Sequence, residues 1–187
     1  MADRVSALSG HYQTGLSGKQ GKRGVVLSEV PGLILYQVAG WPDTLSNVGA
    51  QAAEVIGATA APGPGTAAVG PDGALLRIEP LKWWCYNSLQ MLVLDPELGT
   101  TLDLSHSRTH FCVRGPRAQE CLNRLMSLDL RSGSCPVGSV MSTAFHHVGI
   151  TLWHSENGFE VFVPRGFAVS LWEVLSETAA QFGAEVV

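Results

Sequence analysis

The chain has 187 residues and a formal net charge of −4 at pH 7, with 45% hydrophobic and only 15% charged residues. A pI near 5.8 provides no long-range attraction to phosphate backbones, which argues against a nucleic-acid partner. No run of about 18 apolar residues occurs, which argues against a membrane-spanning helix. A chain of this size can bury roughly 70% of its unfolded surface around one core. Its charge content lies well below the ordinary ~25%, which suggests that part of the exterior is covered by another chain.

Residues 1–25 carry no apolar stretch followed by a small-residue cleavage site, and the expected location is cytoplasmic. Met1 to Gly24 is rich in Ser, Gly and Gln, with Lys19, Lys22 and Arg23 near its end. It is predicted to be a flexible N-terminal arm, ordered only where a partner surface holds it. A single α+β domain is predicted for residues 25–187, with two sub-lobes at 25–98 and 99–187.

In Val25 to Val38, two β-rich runs flank Pro31-Gly32 and predict a strand or a hairpin. Asp43 is placed to cap a helix over 43–57, whose apolar stripe is Leu45, Val48, Ala52, Val55 and Ile56 and whose end is Gly57. Gly57 to Ala74 lacks periodicity and reads as a long connection. Leu75 to Ile78, Lys82 to Tyr86 and Met91 to Leu94 predict an antiparallel set of short strands. Alternation sends Trp83 and Trp84 to opposite faces, so one indole packs in a core and the other lies under further coverage or against a partner.

Thr101 to Ser107 alternates as a strand, and His110 to Arg114 forms the next. Gly115-Pro116 then starts a helix over 116–127 with the stripe Ala118, Cys121, Leu122, Leu125 and Met126. Gly138 to Thr143, His147 to Trp153 and Phe159 to Val163 predict strands, with a hairpin turn at Ser155 to Gly158. The last helix is predicted over 166–182, with Phe167, Leu171, Val174, Leu175, Ala179 and Phe182 inward. The order implies an α+β fold with largely antiparallel sheets and three main helices.

No chemistry-bearing constellation stands out. His106, His110, Cys112, His146 and His147 are not spaced as metal ligands, and adjacent His146 and His147 in a strand would point apart. The Pro-rich Gly57 to Ala74 stretch lacks G-x-G-x-x-G and a Walker lysine. No nucleophile elbow or reactive-cysteine signature occurs, and Cys85, Cys112, Cys121 and Cys135 form no C-x-x-C pair and read as buried free thiols. Asp103, Ser105 and Arg108 sit where side-chain hydrogen bonds fix a turn. Arg114 and Arg117 bracket a helix N-terminus, where positive charge is unfavourable unless an acid answers it; a partner carboxylate would be such an acid, and solvated arginines on an edge are the alternative.

Leu102-Asp103-Leu104-Ser105-His106 followed by Gly115-Pro116-Arg117-Ala118 resembles the motifs of the glycine-cleavage T-protein superfamily, which uses tetrahydrofolate. With Leu81-Lys82-Trp83-Trp84, Leu128-Asp129-Leu130, Cys135 to Val140 and Val163 to Glu173, residues 75–183 resemble the gamma subunits of heterotetrameric sarcosine oxidases. The resemblance implies a T-protein folate-binding-domain-like fold. It also implies a non-catalytic subunit, packed chiefly on alpha and accompanied by beta and delta, in an enzyme that oxidises sarcosine to glycine. In that family FAD, FMN, NAD and zinc belong to other subunits, and tetrahydrofolate is a co-substrate handled by alpha; no catalytic, cofactor or metal residue is expected in this chain. Candidate subunit-interface residues are Trp83, Trp84, Arg108, Arg114, Arg117 and Arg165. Two alternatives remain: a gamma-like subunit of a related N-methyl amino acid dehydrogenase, such as one acting on N-methylglutamate, or a stand-alone folate-binding module.

Overall fold

Short β-branched and aromatic runs, each stopped by Gly, Pro or a polar turn, set the element order in a computed structural model that describes residues 5–18 and 23–187. In chain order these are β1 (Gly15–Ser17), β2 (Val25–Glu29), β3 (Leu35–Gly40), α1 (Leu45–Val55), β4 (Ala67–Gly70), β5 (Gly73–Glu79), β6 (Lys82–Tyr86), β7 (Gly99–Asp103) and β8 (Arg108–Arg114). There follow α2 (Ala118–Asn123), β9 (Val140–Phe145), β10 (Val148–Ser155), β11 (Gly158–Pro164), a 3-10 turn at Arg165–Phe167, α3 (Ala168–Ala180) and β12 (Ala184–Val186). The fold is α+β with two largely antiparallel sheets and three helices.

The chain forms two compact units: Met1–Gly32 with Ser107–Val137 and Ser142–Val187, and Leu33–His106 with Gly138–Met141. The division therefore does not fall at residue 98, because β7 pairs with β3 and belongs to the second unit.

In the first unit the sheet order is β1-β12-β2-β8-β11-β10-β9, with β12 parallel to β2. One face of β8 carries Phe111 and Val113, which with Leu27 and Val161 in register beside them pack under the helices. Phe111 meets Trp172 of α3 edge-on at 5.1 Å. The predicted stripe of the last helix is buried at Leu171, Leu175, Ala179 and Phe182, with Ala168 and Trp172 beside it, whereas Val174 is half-buried and Phe167, in a 3-10 turn over residues 165–167, is exposed. The α2 stripe is buried as expected, although the helix is shorter than predicted.

The N-terminal segment departs from the predicted flexible arm. Gly15–Ser17 pairs antiparallel with Val186–Ala184, Tyr12 packs on Trp172 with ring centroids 5.0 Å apart, Ser6 donates to the Glu29 carboxylate, and Leu8 is fully buried. Composition underestimates such a segment because a few well-placed anchors on the chain's own surface suffice. Lys19 and Lys22 lie outside the described residues.

In the second unit the order is β4-β5-β6-β3-β7. α1 lies on one face, where Val48, Ala52, Ala53 and Ile56 pack with Val38, Leu75, Trp83 and Cys85. Its N-terminus is at Thr44, not Asp43, and has no side-chain cap; the Thr44 hydroxyl instead accepts from Trp41 N–H and donates to the Leu98 carbonyl. Its C-terminus is a Schellman turn: Ala58 N–H bonds Ala53 O and Gly57 N–H bonds Glu54 O, both at 2.9 Å, with Gly57 at φ 71°. Beyond it, the predicted long connection contains β4, which forms a hairpin with β5 at the sheet edge. Three other expectations give way. The two β-rich runs are strands, but β2 and β3 belong to different sheets, so of the strand or hairpin expected there the hairpin fails. Met91 to Leu94 has no ladder partner and is not a strand, and His146-His147 forms the turn between β9 and β10, with His146 at φ 52°.

Leu8→Ala is expected to destabilise the protein by about 2–5 kcal/mol, the range for emptying a fully buried leucine site. Chemical denaturation of both forms measures this; equal stability would mean that the segment is the loose arm that its composition suggests.

Candidate functional site

Trp83 and Trp84 alternate as expected, Trp83 into the α1 core and Trp84 onto the opposite face, and both are buried at 1% and 3% exposure. Burial of about 200 Å² of indole contributes about 5 kcal/mol at most, which explains why neither ring is left at the surface. Neither is therefore available as a subunit contact.

The four arginines diverge. Arg117 sits at the N-cap of α2, but its answering carboxylate is the chain's own Glu120 three residues on, and its guanidinium lies over Phe182 at 4.9 Å. Arg165 donates to the Val5 carbonyl at 2.6 Å and is half-buried. Arg108 is half-buried too; burial lowers its pKa, and it donates to the Ser107 carbonyl at 3.3 Å. Arg114 ends β8 with its side chain exposed. These residues do not form one site.

The Asp-Leu-Ser-His stretch is a structural device. Asp103 Oδ1 accepts Ser105 N–H at 2.8 Å, Ser105 Oγ accepts Leu35 N–H at 3.0 Å, and Leu104 N–H bonds Leu35 O at 2.8 Å. The turn thereby closes the end of β7 against the start of β3. A buried amide deprived of its acceptor costs about 1–3 kcal/mol, which gives Ser105 a reason to be there without any ligand.

His110 and Cys112, weighed in the sequence as metal ligands, join Glu160 and Ser155, which were not singled out, in a polar buried cluster. β8 and β11 bring His110 and Glu160 onto one face, with His110 Nε2 2.7 Å from Glu160 Oε2 and both side chains nearly closed to solvent. Ser155 Oγ donates to Glu160 Oε1 at 2.9 Å, Cys112 also bonds the carboxylate, and Phe162 stacks on the imidazole at 4.5 Å. Burial pushes the Glu160 carboxyl up, but the bond and charge of His110 with the Ser155 and Cys112 bonds outweigh it, so its pKa lies below the ordinary 4.5. The signal in the sequence was an acid inside the apolar run Phe159 to Val163: a strand buried on both faces cannot keep a carboxylate without a partner.

This cluster offers no reacting group open to a substrate. All four cysteines are free and buried, and burial raises Cys85 and Cys112 to about 12 and Cys121 to about 11, away from thiolate chemistry. His106 is exposed while His110 is buried, so the two do not converge. His154 bonds the Cys135 carbonyl at 2.8 Å and stacks on Phe159.

A cleft of about 650 Å³ runs beside α1, lined in part by Gly49, Ala50, Ala58, Ala61, Arg77 and Trp83. Arg77 donates to the Pro62 and Pro80 carbonyls and lies 4.9 Å from the Trp83 ring. Arg77 Nε and Trp83 Nε1 have no acceptor among the described residues, yet both are closed to solvent and therefore to anything in the cleft. The cleft also presents Ser46, Glu54 and Thr59 among its small apolar side chains.

No protein-family model matches the chain. It is 30% identical over 84 residues to an aminomethyltransferase of Thermoanaerobacter sp. (strain X514), and 27% identical over 88 residues to that of Thermoanaerobacter pseudethanolicus. Each match spans 43% of this chain and only 23% of the relative's length. Among solved structures, a chain of the heterotetrameric sarcosine oxidase from Corynebacterium sp. U-96, in complex with pyrrole 2-carboxylate, superposes with a TM-score of 0.76 at 21% identity. That match covers 98% of this chain and 99% of the other. Aminomethyltransferase T of the glycine cleavage system from Bartonella henselae superposes with a TM-score of 0.59 at 15% identity, covering 97% of this chain but 50% of the enzyme. The chain thus has the T-protein-like fold in the size found in the sarcosine oxidase structure.

Glu160→Ala is expected to cost about 1–3 kcal/mol for each of the buried bonds it removes, those with His110 and Ser155. The pH dependence has a defined sign. With the folded pKa below the unfolded one, the contribution of the carboxylate is complete above 4.5 and is lost as the pH falls through the folded value. The stability gap between the wild type and Glu160→Gln, measured by urea unfolding, should narrow on acidification below 4.5; a constant gap would contradict this account.

Proposed function

We propose that this chain is the non-catalytic gamma subunit of a heterotetrameric sarcosine oxidase-type complex, supporting the alpha subunit. The reaction of the complex is the oxidative demethylation of sarcosine to glycine, with peroxide formed and the methyl carbon passed to tetrahydrofolate or released as formaldehyde. The observation that carries this reading is the end-to-end match, 98% against 99%, with a chain of the sarcosine oxidase structure, where an aminomethyltransferase is covered only to 50%. The low charge content, 15% of residues, agrees with it, because it suits a surface shared with other chains. FAD, FMN, NAD and zinc are assigned to the other subunits, and the assembly is assigned to the cytoplasm; no described helix is long and apolar enough to cross a membrane.

A stand-alone folate-binding module is the competing reading, because the aminomethyltransferase matches point to the same fold. A gamma-like subunit of an N-methylglutamate dehydrogenase-type complex would differ in substrate and electron acceptor, which are properties of the other chains.

The isolated chain is expected to have no flavin absorbance in the visible range and no heat of binding in calorimetric titration with tetrahydrofolate. Tight folate binding by the lone chain would replace this reading with the module. A yellow, amine-oxidising chain would overturn both.

A further inference from the structure

Between β6 and β7, the chain passes through Asn87 to Leu98 without a ladder partner, yet from Met91 to Leu94 its side chains keep a two-residue alternation. Leu92 and Leu94 pack into the α1 core, together with Leu98. On the outward side, Leu89, Met91 and Val93 are 88%, 42% and 80% exposed. Among the described residues, no backbone group from Leu89 to Leu94 is bonded to another backbone segment. The Gln90 carbonyl accepts from Ser88 Oγ at 3.1 Å; apart from it, the stretch combines an outward apolar stripe with main-chain donors and acceptors not bonded to another segment, the two things an added strand uses.

The next turn has a different chemistry. Trp41 Nε1 donates to the Pro96 carbonyl at 3.0 Å, which sets a 47% exposed indole beside the exposed carboxylates of Asp95 and Glu97. Asp95 Oδ1 is occupied by Glu97 N–H at 2.9 Å, and the turn closes with Leu98 N–H on Asp95 O at 2.8 Å. From residue 83 to 107 the chain holds Asp95, Glu97 and Asp103 and neither Lys nor Arg. An indole with two carboxylates beside it is a receptor for a cationic side chain.

We propose that residues 89–97 with Trp41 are a docking surface for an extended segment of a different subunit. That segment has alternate apolar side chains that lie on Leu89, Met91 and Val93, and a Lys or Arg that reaches Asp95, Glu97 and the Trp41 ring. The inference rests on the subunit reading above and adds to it where the partner binds. A second copy of this chain is the poorer occupant, because its own stretch would bring more carboxylates and no cation to an already acidic surface.

The test uses the complete assembly purified through a tag on this chain, compared with the free chain. Backbone amides of residues 89–94 should exchange at least about tenfold more slowly in the assembly. Leu89→Asp with Val93→Asp should lower the recovery of partner chains by about tenfold at an unchanged thermal midpoint, and Asp95→Lys with Glu97→Lys should lower it too. Phe167→Ser, at an exposed apolar side chain of the other unit, should not. If the wild type retains its partners and both variants do as well, with no protection of residues 89–94, the docking surface is wrong and the subunit reading stands. If the wild type retains no partner chain, both fall. Protection that arises only in a dimer of this chain would overturn the choice of occupant.

Discussion

Burial of β8 on both faces is the constraint from which the first unit follows. A central strand with no side open to water must find an apolar mate or a polar partner for every side chain. Phe111 and Val113 solve this by packing under α3, where the edge-on contact with Trp172 fixes the helix position. That position delivers the chain to β12, which pairs with β2 on one side and β1 on the other, so the N-terminal segment is held by the same logic. On the opposite face, His110 and Cys112 solve it through Glu160 and Ser155. The cluster looks like catalytic machinery by residue type. By exposure and bonding it is a core that satisfies itself.

The same distinction applies to the Asp-Leu-Ser-His stretch. The bonds of Leu104 and Ser105 to Leu35 join β3 and β7, and Asp103 holds the turn itself, so what the stretch marks is a turn that this architecture needs. A sequence signature of that kind reports the fold and not the chemistry carried on it. A T-protein-like fold is therefore compatible with the supporting role proposed for the chain, and its buried thiols and the His110 and His154 imidazoles belong to its packing.

Much of the architecture was legible in the residues. The α2 stripe, the Gly57 helix end and the opposed Trp83 and Trp84 follow from periodicity and from the needs of a left-handed residue at a helix end. Other features depend on contacts distant in sequence. Three short residues of β1 have meaning only beside β12, about 170 residues away. The Met91 to Leu94 run has strand-like alternation without a strand neighbour in its own chain. The arginines were more misleading: local sequence shows a cation at a helix start, but not that Glu120 three residues on, or the Val5 carbonyl far away, already answers it. Glu160 was the converse case, a visible acid in an apolar strand whose partner lies 50 residues away.

The central claim is that this chain contributes structure, not chemistry, to a flavin-bearing assembly. Native mass spectrometry of the tagged chain purified from its own cells tests it most directly. The account predicts a hetero-oligomer that holds this chain together with two larger chains, with flavin mass released only with those larger chains. A free monomer that carries flavin or turns over an N-methyl amino acid by itself would contradict it.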